Sequence, residues 1–277
     1  MKGDFMRVFG IDVSQWQSNF DFAAAKAEGV RFVIIRGAYH LTKDAEFERY
    51  YSKAKKAGLD VGVYQYTMAT DTAAALREAE FFYNNIVRGK RFELPVYIDI
   101  EDEVQRVLDK ATVTDIIKTW CEYLESKDCF AGVYSYDYFF ERYVDDSKLY
   151  AYTHWVAQWE EKCTYQPERI LGMWQFGGEE NALRSNHVAG RVCDQDFMLV
   201  DFPEIIRRKR KNGYGDENSP GVDVPEKATY HTVRSGDTLS ALAAQYSTTV
   251  SKIVAENKAT YPEIEPDYIR VGWRLKV

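Results

Sequence analysis

The chain is short of several things that decide function elsewhere. Its 277 residues hold four histidines and four cysteines, too little raw material for a histidine-based metal centre. Cys121, Cys129, Cys163 and Cys193 form no CxxC pair and have no histidine cluster beside them, which argues against zinc and for reduced thiols. No apolar run approaches the roughly 18 residues of a membrane span, and the N-terminus (MKGDFMRV) has no apolar core of an export signal. Basic residues are outnumbered and the net charge is −7, so nucleic acid is not the expected partner. From these absences we expect no cofactor, no metal, no membrane anchor and synthesis in a cytoplasm.

What the chain has in quantity is aromatic side chains: 20 Tyr, 15 Phe and 6 Trp. Most serve packing, but aromatic faces also stack on the C–H surfaces of sugars.

Strand-like runs alternate with helical patterns. Residues 7–14, 31–37, 60–67, 94–101, 130–135, 154–159, 172–176 and 192–199 read as eight strands, with helices expected at 20–28, 44–57, 72–88 and 112–127. Gly58 is placed as the C-cap of the second helix and Thr112 as the N-cap of the fourth. Helical pattern fades after the fifth strand. The fold class is therefore α/β: a TIM-like parallel barrel with reduced helices in its second half, over residues 1–206. Residues 207–229 (RRKRKNGYGDENSPGVDVPEKAT) read as a linker, basic and then rich in Gly, Pro and polar residues. Residues 230–277 have a small βααβ outline.

The sharpest motif is Leu-Pro-Val-Tyr-Ile-Asp-Ile-Glu at 94–101. In a strand, Asp99 and Glu101 share one face while Ile98 and Ile100 take the other. Two acids crowded at the end of a buried strand are driven apart in pKa, the division of labour that glycosidic cleavage requires. Taken alone, an Asp-x-Glu is more often a pair of solvated acids. Barrel enzymes, however, act at the C-terminal ends of their strands. Asp12 at the end of the first strand, and Asp194 with Asp196 on the last, bring further acids to the same rim.

The runs FGIDVSQWQ, VYIDIED, GVYSY, VAQW, MWQF and CDQDF, in this order, resemble glycoside hydrolase family 25, the Chalaropsis-type muramidases, over about residues 7–206. Residues 230–277 (YHTVRSGDTLSALAAQY…TTVSKIVAEN…VGWRLKV) resemble a LysM module. The first resemblance implies hydrolysis of the β-1,4 bond between N-acetylmuramic acid and N-acetylglucosamine in bacterial peptidoglycan. The second implies binding of chains containing N-acetylglucosamine.

Carried over by residue, Glu101 matches the proton donor, Asp99 the acid that stabilises the substrate's acetamido group, Asp12 the first-strand acid and Asp194 the last-strand acid. The last motif reads Asp194-Gln195-Asp196 where Asp-x-Asn is usual, and Asp196 is the reserve for that role. A second departure is Arg36-Gly37-Ala38-Tyr39, standing where Lys-Ala-Ser/Thr-Glu is commoner.

Tyr64, Tyr134, Trp159 and Gln175, near strand ends, are candidates for sugar binding, whereas Trp16 and Tyr66 read as packing. The histidines (40, 154, 187 and 231) form no triad. In the LysM-like part, Gly236, Asp237, Thr238 and Leu239 form the candidate glycan turn, opposite residues 257–269, with Asp237 also read as a helix N-cap.

The expected role is that of a phage endolysin held in the host cytoplasm until lysis. The alternatives are a bacterial autolysin, a chitinase- or N-acetylglucosaminidase-like glycosidase, a wall-binding protein with a dead barrel, and a hydrolase using a hard cation held by the acids.

Overall fold

The computed structural model describes residues 7–167, 171–215, 230–246, 249–258 and 260–277. Two compact units divide between Val222 and Asp223.

Eight strands close the first unit's barrel: β1 (Val8–Val13), β2 (Phe32–Tyr39), β3 (Asp60–Tyr66), β4 (Val96–Asp99), β5 (Ala131–Tyr136), β6 (Thr153–Ala157), β7 (Leu171–Gly177) and β8 (Asp194–Met198). They pair in the order β1-β8-β7-β6-β5-β4-β3-β2, and a parallel β1–β2 pairing completes the ring. The expectation of an all-parallel barrel is corrected at one strand. β8 runs antiparallel to both of its neighbours, β1 and β7.

That reversal follows from the chain between β7 and β8. It holds only a two-stranded hairpin (His187–Val188 with Arg191–Val192) and no helix among its described residues. A parallel return needs a crossover of a dozen or more residues, usually helical. The consequence is functional: the start of β8, not its end, reaches the rim where the other strands finish.

The helices are α1 (Phe22–Ala27), α2 (Phe47–Ala57), α3 (Thr72–Phe82, continuing through a π turn to Val87), α4 (Glu103–Arg106), α5 (Lys110–Glu125), α6 (Asp137–Tyr143) and α7 (Phe202–Arg208). Gly58 does cap α2, with φ +71°. Thr112 does not cap α5: the helix starts two residues earlier, and Asp109 accepts the Thr112 N–H at 2.7 Å.

Period-two alternation separates two cores. On β4, Val96 and Ile98 face the helices while Tyr97 points into the barrel, where it meets Phe32, Ile34, Trp155 and Met198. Asp99 therefore follows Tyr97 into the interior, and Ile100 stays with the outer core.

Residues 207–215 are not linker. Phe202 and Ile206 of α7 plug the barrel floor, and the chain beyond is pinned to it. Arg207 pairs with Asp60 at 3.3 Å, and Tyr214 donates its hydroxyl to Glu93, which also holds the buried Lys55. Asn212, with φ +51°, gives Nδ2 to the Leu94 carbonyl at 2.8 Å and takes the Phe130 N–H at 2.7 Å. The rest of the expected linker, 216–229, lies outside the described residues.

The second unit pairs β9 (Tyr230–Thr232) antiparallel with β10 (Arg274–Lys276), with α8 (Leu239–Gln245) and α9 (Val250–Asn257) between them. Val233, Leu239, Leu242, Ile253, Ile264 and Leu275 form its core. Asn257, expected in the glycan-facing segment, is instead a fastener: its side chain bonds Lys276 through both N–H and C=O.

Candidate active site

At the rim where β1 to β7 end, the barrel opens into a cavity of about 510 Å³. Asp12, Asp99, Glu101 and Asp194 all line it, and so do Tyr64, Tyr134, Trp159 and Gln175. Residues from Asp12 to Asp194 thus meet in one cleft.

The Asp99–Glu101 segment is held on both sides. Thr67 N–H donates to the Asp99 carbonyl at 3.0 Å and Ile100 N–H to the Tyr134 carbonyl at 3.1 Å, while Ser135 Oγ caps the Ile100 carbonyl. Just beyond, Asp102 N-caps α4 and takes a hydrogen bond from the Tyr66 hydroxyl at 3.0 Å. Arg106 of the same helix reaches back to the Glu101 carbonyl. The peptide frame is therefore fixed, and one oxygen of each carboxylate, Oδ1 of Asp99 and Oε2 of Glu101, has no hydrogen-bond partner.

On the opposite wall, Gln175 organises the polar groups. Its Nε2 donates to Asp12 Oδ2 at 2.8 Å, and its Oε1 accepts from the Tyr134 hydroxyl at 3.1 Å and from Trp159 Nε1 at 3.0 Å. Asp194 lies beside Gly178, where a Cβ would stand 2.0 Å from Asp194 Oδ1, so only glycine allows this approach. Asp196, two residues down β8, does not line the cavity. It is fully buried and takes a hydrogen bond from Trp155 Nε1 at 2.8 Å.

Burial is the main cause of every carboxyl shift here, and neighbouring acids add to it, while at Asp196 the hydrogen bond from Trp155 works against it. Glu101 is pushed up to about 7 and Asp194 to about 6. Asp12, Asp99 and Asp196 are also raised, the hydrogen bond from Gln175 working against the shift at Asp12 and Arg36 working against it at Asp99. Asp99 and Glu101 are therefore both shifted upward, where the sequence led us to expect one charged and one protonated acid.

Three readings of the sequence need correction. Trp16 and Tyr66, read as packing, both line the cavity, and Trp16 is 76% exposed. Asp237 is not the cap of α8: its carboxylate turns back to Arg234 N–H at 2.7 Å and to His231 at 2.7 Å, while Thr238 Oγ1 accepts from Ala241 N–H. Leu239 is 2% exposed and belongs to the core of its unit. Gly236 does occupy a turn that needs it, with φ +93°.

Arg36, Tyr136, Trp155 and Glu179 also line the cavity and were not singled out as site residues. For Arg36 and Tyr136 a signal existed: each sits next to or within a quoted strand-end run. Glu179 lies in a loop, where no periodicity marks it. Cys193 borders the cavity with its thiol pushed up by burial, which keeps it protonated. Among the described residues, none of the histidines lines the cavity and no group of acids, histidines or cysteines is arranged to hold a metal ion. No described helix is long and apolar enough to cross a membrane.

Comparison with known proteins agrees with this geometry. The family model for glycosyl hydrolases family 25 matches residues 11–183, and the LysM domain model matches residues 231–277. The autolytic lysozyme of Clostridium acetobutylicum is 31% identical over 151 residues, covering 54% of this chain and 44% of that protein. Lysozyme M1 of Streptomyces globisporus is 28% identical over 120 residues, covering 42% of this chain and 40% of its own. The chain thus spans less than half the length of these two relatives. Among solved structures, the bacterial lysozyme from Streptomyces coelicolor superposes with a TM-score of 0.63 at 21% identity, over 76% of this chain and all of that one. The muramidase from Acremonium alcalophilum gives 0.60 at 24%, with the same coverage. The chain belongs to glycosyl hydrolases family 25 and carries a C-terminal LysM domain.

Proposed function

We propose that the protein is an N-acetylmuramidase that hydrolyses the β-1,4 bond between N-acetylmuramic acid and N-acetylglucosamine in peptidoglycan. The observation that carries this reading is the single cleft that Glu101 shares with Asp99, Asp12 and Asp194, where burial raises the Glu101 carboxyl to about 7.

Glu101 gives its proton to the glycosidic oxygen as the bond to the anomeric carbon breaks. A water then bonds to that carbon and gives up a proton to the Glu101 carboxylate, restoring the acid. Asp99 opposes the positive charge developing on the sugar, directly or by accepting from the N–H of the 2-acetamido group. Asp194, with burial, keeps Glu101 protonated enough to remain an acid, and Asp12, held by Gln175, forms the facing wall of the cleft. Tyr64, Tyr134, Trp159 and the exposed Trp16 supply ring faces and donors for the glycan. In the LysM domain, the turn at Gly236–Thr238 offers backbone groups to an N-acetylglucosamine chain, and the buried Leu239 supports that turn from behind.

Mass spectrometry of the reducing ends released from purified peptidoglycan tests the proposal. N-acetylmuramic acid at the new ends supports it, and N-acetylglucosamine there replaces it with a glucosaminidase.

A further inference from the structure

Five carboxylates line the cavity, those of Asp12, Asp99, Glu101, Glu179 and Asp194, with a single cationic side chain among the described residues, Arg36. Acid-catalysed cleavage accounts for the carboxylates. The cation pairs with Asp44, which offsets its desolvation, and favours the charged form of Asp99, but neither role engages its terminal nitrogens.

Arg36 lies toward the rim end of β2, nearly buried. Its Nε donates to Asp44 Oδ2 at 2.8 Å. Asp44 is itself fixed, by Gln15 N–H on Oδ2 at 3.1 Å and by Glu46 N–H on Oδ1 at 2.9 Å. The guanidinium is therefore clamped along one edge. Its terminal nitrogens bond no other described residue and are left to the cavity that the side chain lines. A planar fork of donors, oriented in advance and aimed into a cleft, suits a carboxylate or a carbonyl oxygen of a ligand.

The chemistry of the sugar says which oxygen. Tyr64 is registered opposite Arg36 and Tyr66 opposite Asp99, so β3 alone separates the strands carrying the cation and the acid. A ring whose 2-acetamido group faces Asp99 carries its C3 substituent on the next carbon. In N-acetylglucosamine that substituent is a hydroxyl. In N-acetylmuramic acid it is a lactyl ether ending in a carboxyl group.

We propose that Arg36 binds the lactyl group at C3 of the muramic acid ring, through its carboxylate in stem-free glycan and through its carbonyl oxygen where a stem peptide is attached. Arg36 is then the residue that prefers muramic acid over glucosamine next to Asp99. The assignment rests on the muramidase reading.

The test measures binding by titration calorimetry in the Glu101→Gln protein, which turns its ligand over at least about 10²-fold more slowly. Three ligands of equal length differ at C3: a muramic acid-containing tetrasaccharide with free lactyl carboxylates, its lactyl methyl ester, and chitotetraose. With Arg36 present, the free acid binds about tenfold or more tightly than chitotetraose, the ester falling between them. Adding Arg36→Gln brings all three within about threefold of one another, chiefly by weakening the lactyl ligands.

Arg36→Lys keeps the charge and replaces the fork by a point donor, so it retains the preference for the acid and loses that for the ester. Should the Gln variant fail to fold, the Lys variant decides alone, and an unchanged ester preference overturns the assignment. A lactyl preference that survives Arg36→Gln overturns it too, as does an equal weakening of all three ligands, the result of a purely structural role through Asp44. Failure of the muramidase reading registers separately, as N-acetylglucosamine at the reducing ends.

Discussion

Asp12 and Asp194 stand opposite each other across the antiparallel β1–β8 pair, so their carboxylates face the same side of the barrel wall. Asp196 pairs instead with Gly10, one step deeper. Depth separates the two candidates for the last-strand acid. Asp194→Asn is expected to lower kcat about fivefold at pH 6, because it removes a charge that, after burial, helps keep Glu101 protonated. Asp196→Asn keeps the acceptor for Trp155 and supplies a donor beside Asp12, so it leaves kcat within about threefold and raises Tm. Steady-state kinetics and calorimetry on the two variants check both statements.

The proton-loaded cluster sets the pH behaviour. In the unfolded chain these carboxyls titrate near 4, whereas Glu101 titrates at about 7 and Asp194 at about 6 in the fold. The native state thus binds more protons between these limits, and stability falls as pH rises through that window. Removing one titrating acid relieves this cost only where it would be charged. Glu101→Gln is therefore expected to raise Tm relative to the parent at pH 8 and to leave it nearly unchanged at pH 4.

Turnover follows the same proton. Activity declines as pH rises through about 7, when Glu101 loses the hydrogen that the leaving oxygen needs. Glu101→Gln drops kcat by at least about 10²-fold at every pH while glycan binding survives. Near-normal turnover by this variant on purified walls would remove Glu101 from its role.

How much of this was legible in the sequence depends on how local each signal is. Asp99 was readable because period two is a property of the strand itself, as Tyr97 and Ile98 show. The strand ends at Asp99, however, so Glu101 reaches the cavity from the segment beyond it and not by the strand alternation expected over 94–101. Asp194 was identified by resemblance, yet the reason it reaches the rim is the reversed direction of β8, which depends on pairing partners far away in sequence. Thr112 was a reasonable cap by type, but Asp109, also a good cap, won because the helix starts two residues earlier. Trp16 looked like core by residue type alone. Its 76% exposure is a tertiary outcome, since the turn after β1 carries it over the cavity. Residues 207–215 had the composition of a linker, and only the fold shows that Asn212 and Tyr214 have partners on the barrel floor.

Gln175 joins the chemistry on one wall to the rings around it. Gln175→Leu leaves Asp12, Tyr134 and Trp159 without their shared partner, and the two buried groups among them, on Asp12 and Tyr134, cost about 1–3 kcal/mol each. Because the lost Nε2 bond favours charged Asp12, its carboxyl moves further up. The expected result is a tenfold or larger loss of kcat with a smaller change in KM, and a lower Tm. Loss confined to KM would make Gln175 a simple sugar ligand instead.

The boundary of the catalytic unit gives a last prediction. A cut after Ile206 removes Arg207, Asn212 and Tyr214. It leaves the Leu94 carbonyl and the Phe130 N–H without their Asn212 partner on the barrel floor, and takes the Tyr214 hydroxyl from Glu93, which keeps Lys55 and Val61 N–H. These losses, at about 1–3 kcal/mol for each orphaned buried group, approach the whole stability of a domain, so this truncation is expected to be largely unfolded. A cut after Val222 keeps these contacts and should match the parent in Tm and in rate on short soluble glycans. On intact walls the same truncation should be slower, by about tenfold at low enzyme concentration. The LysM domain no longer holds the barrel near insoluble substrate, and the loss is one of effective concentration. Parallel rate measurements on the two substrates separate the cases. Equal loss on soluble fragments and on walls would mean that the second unit supports the barrel rather than delivering it.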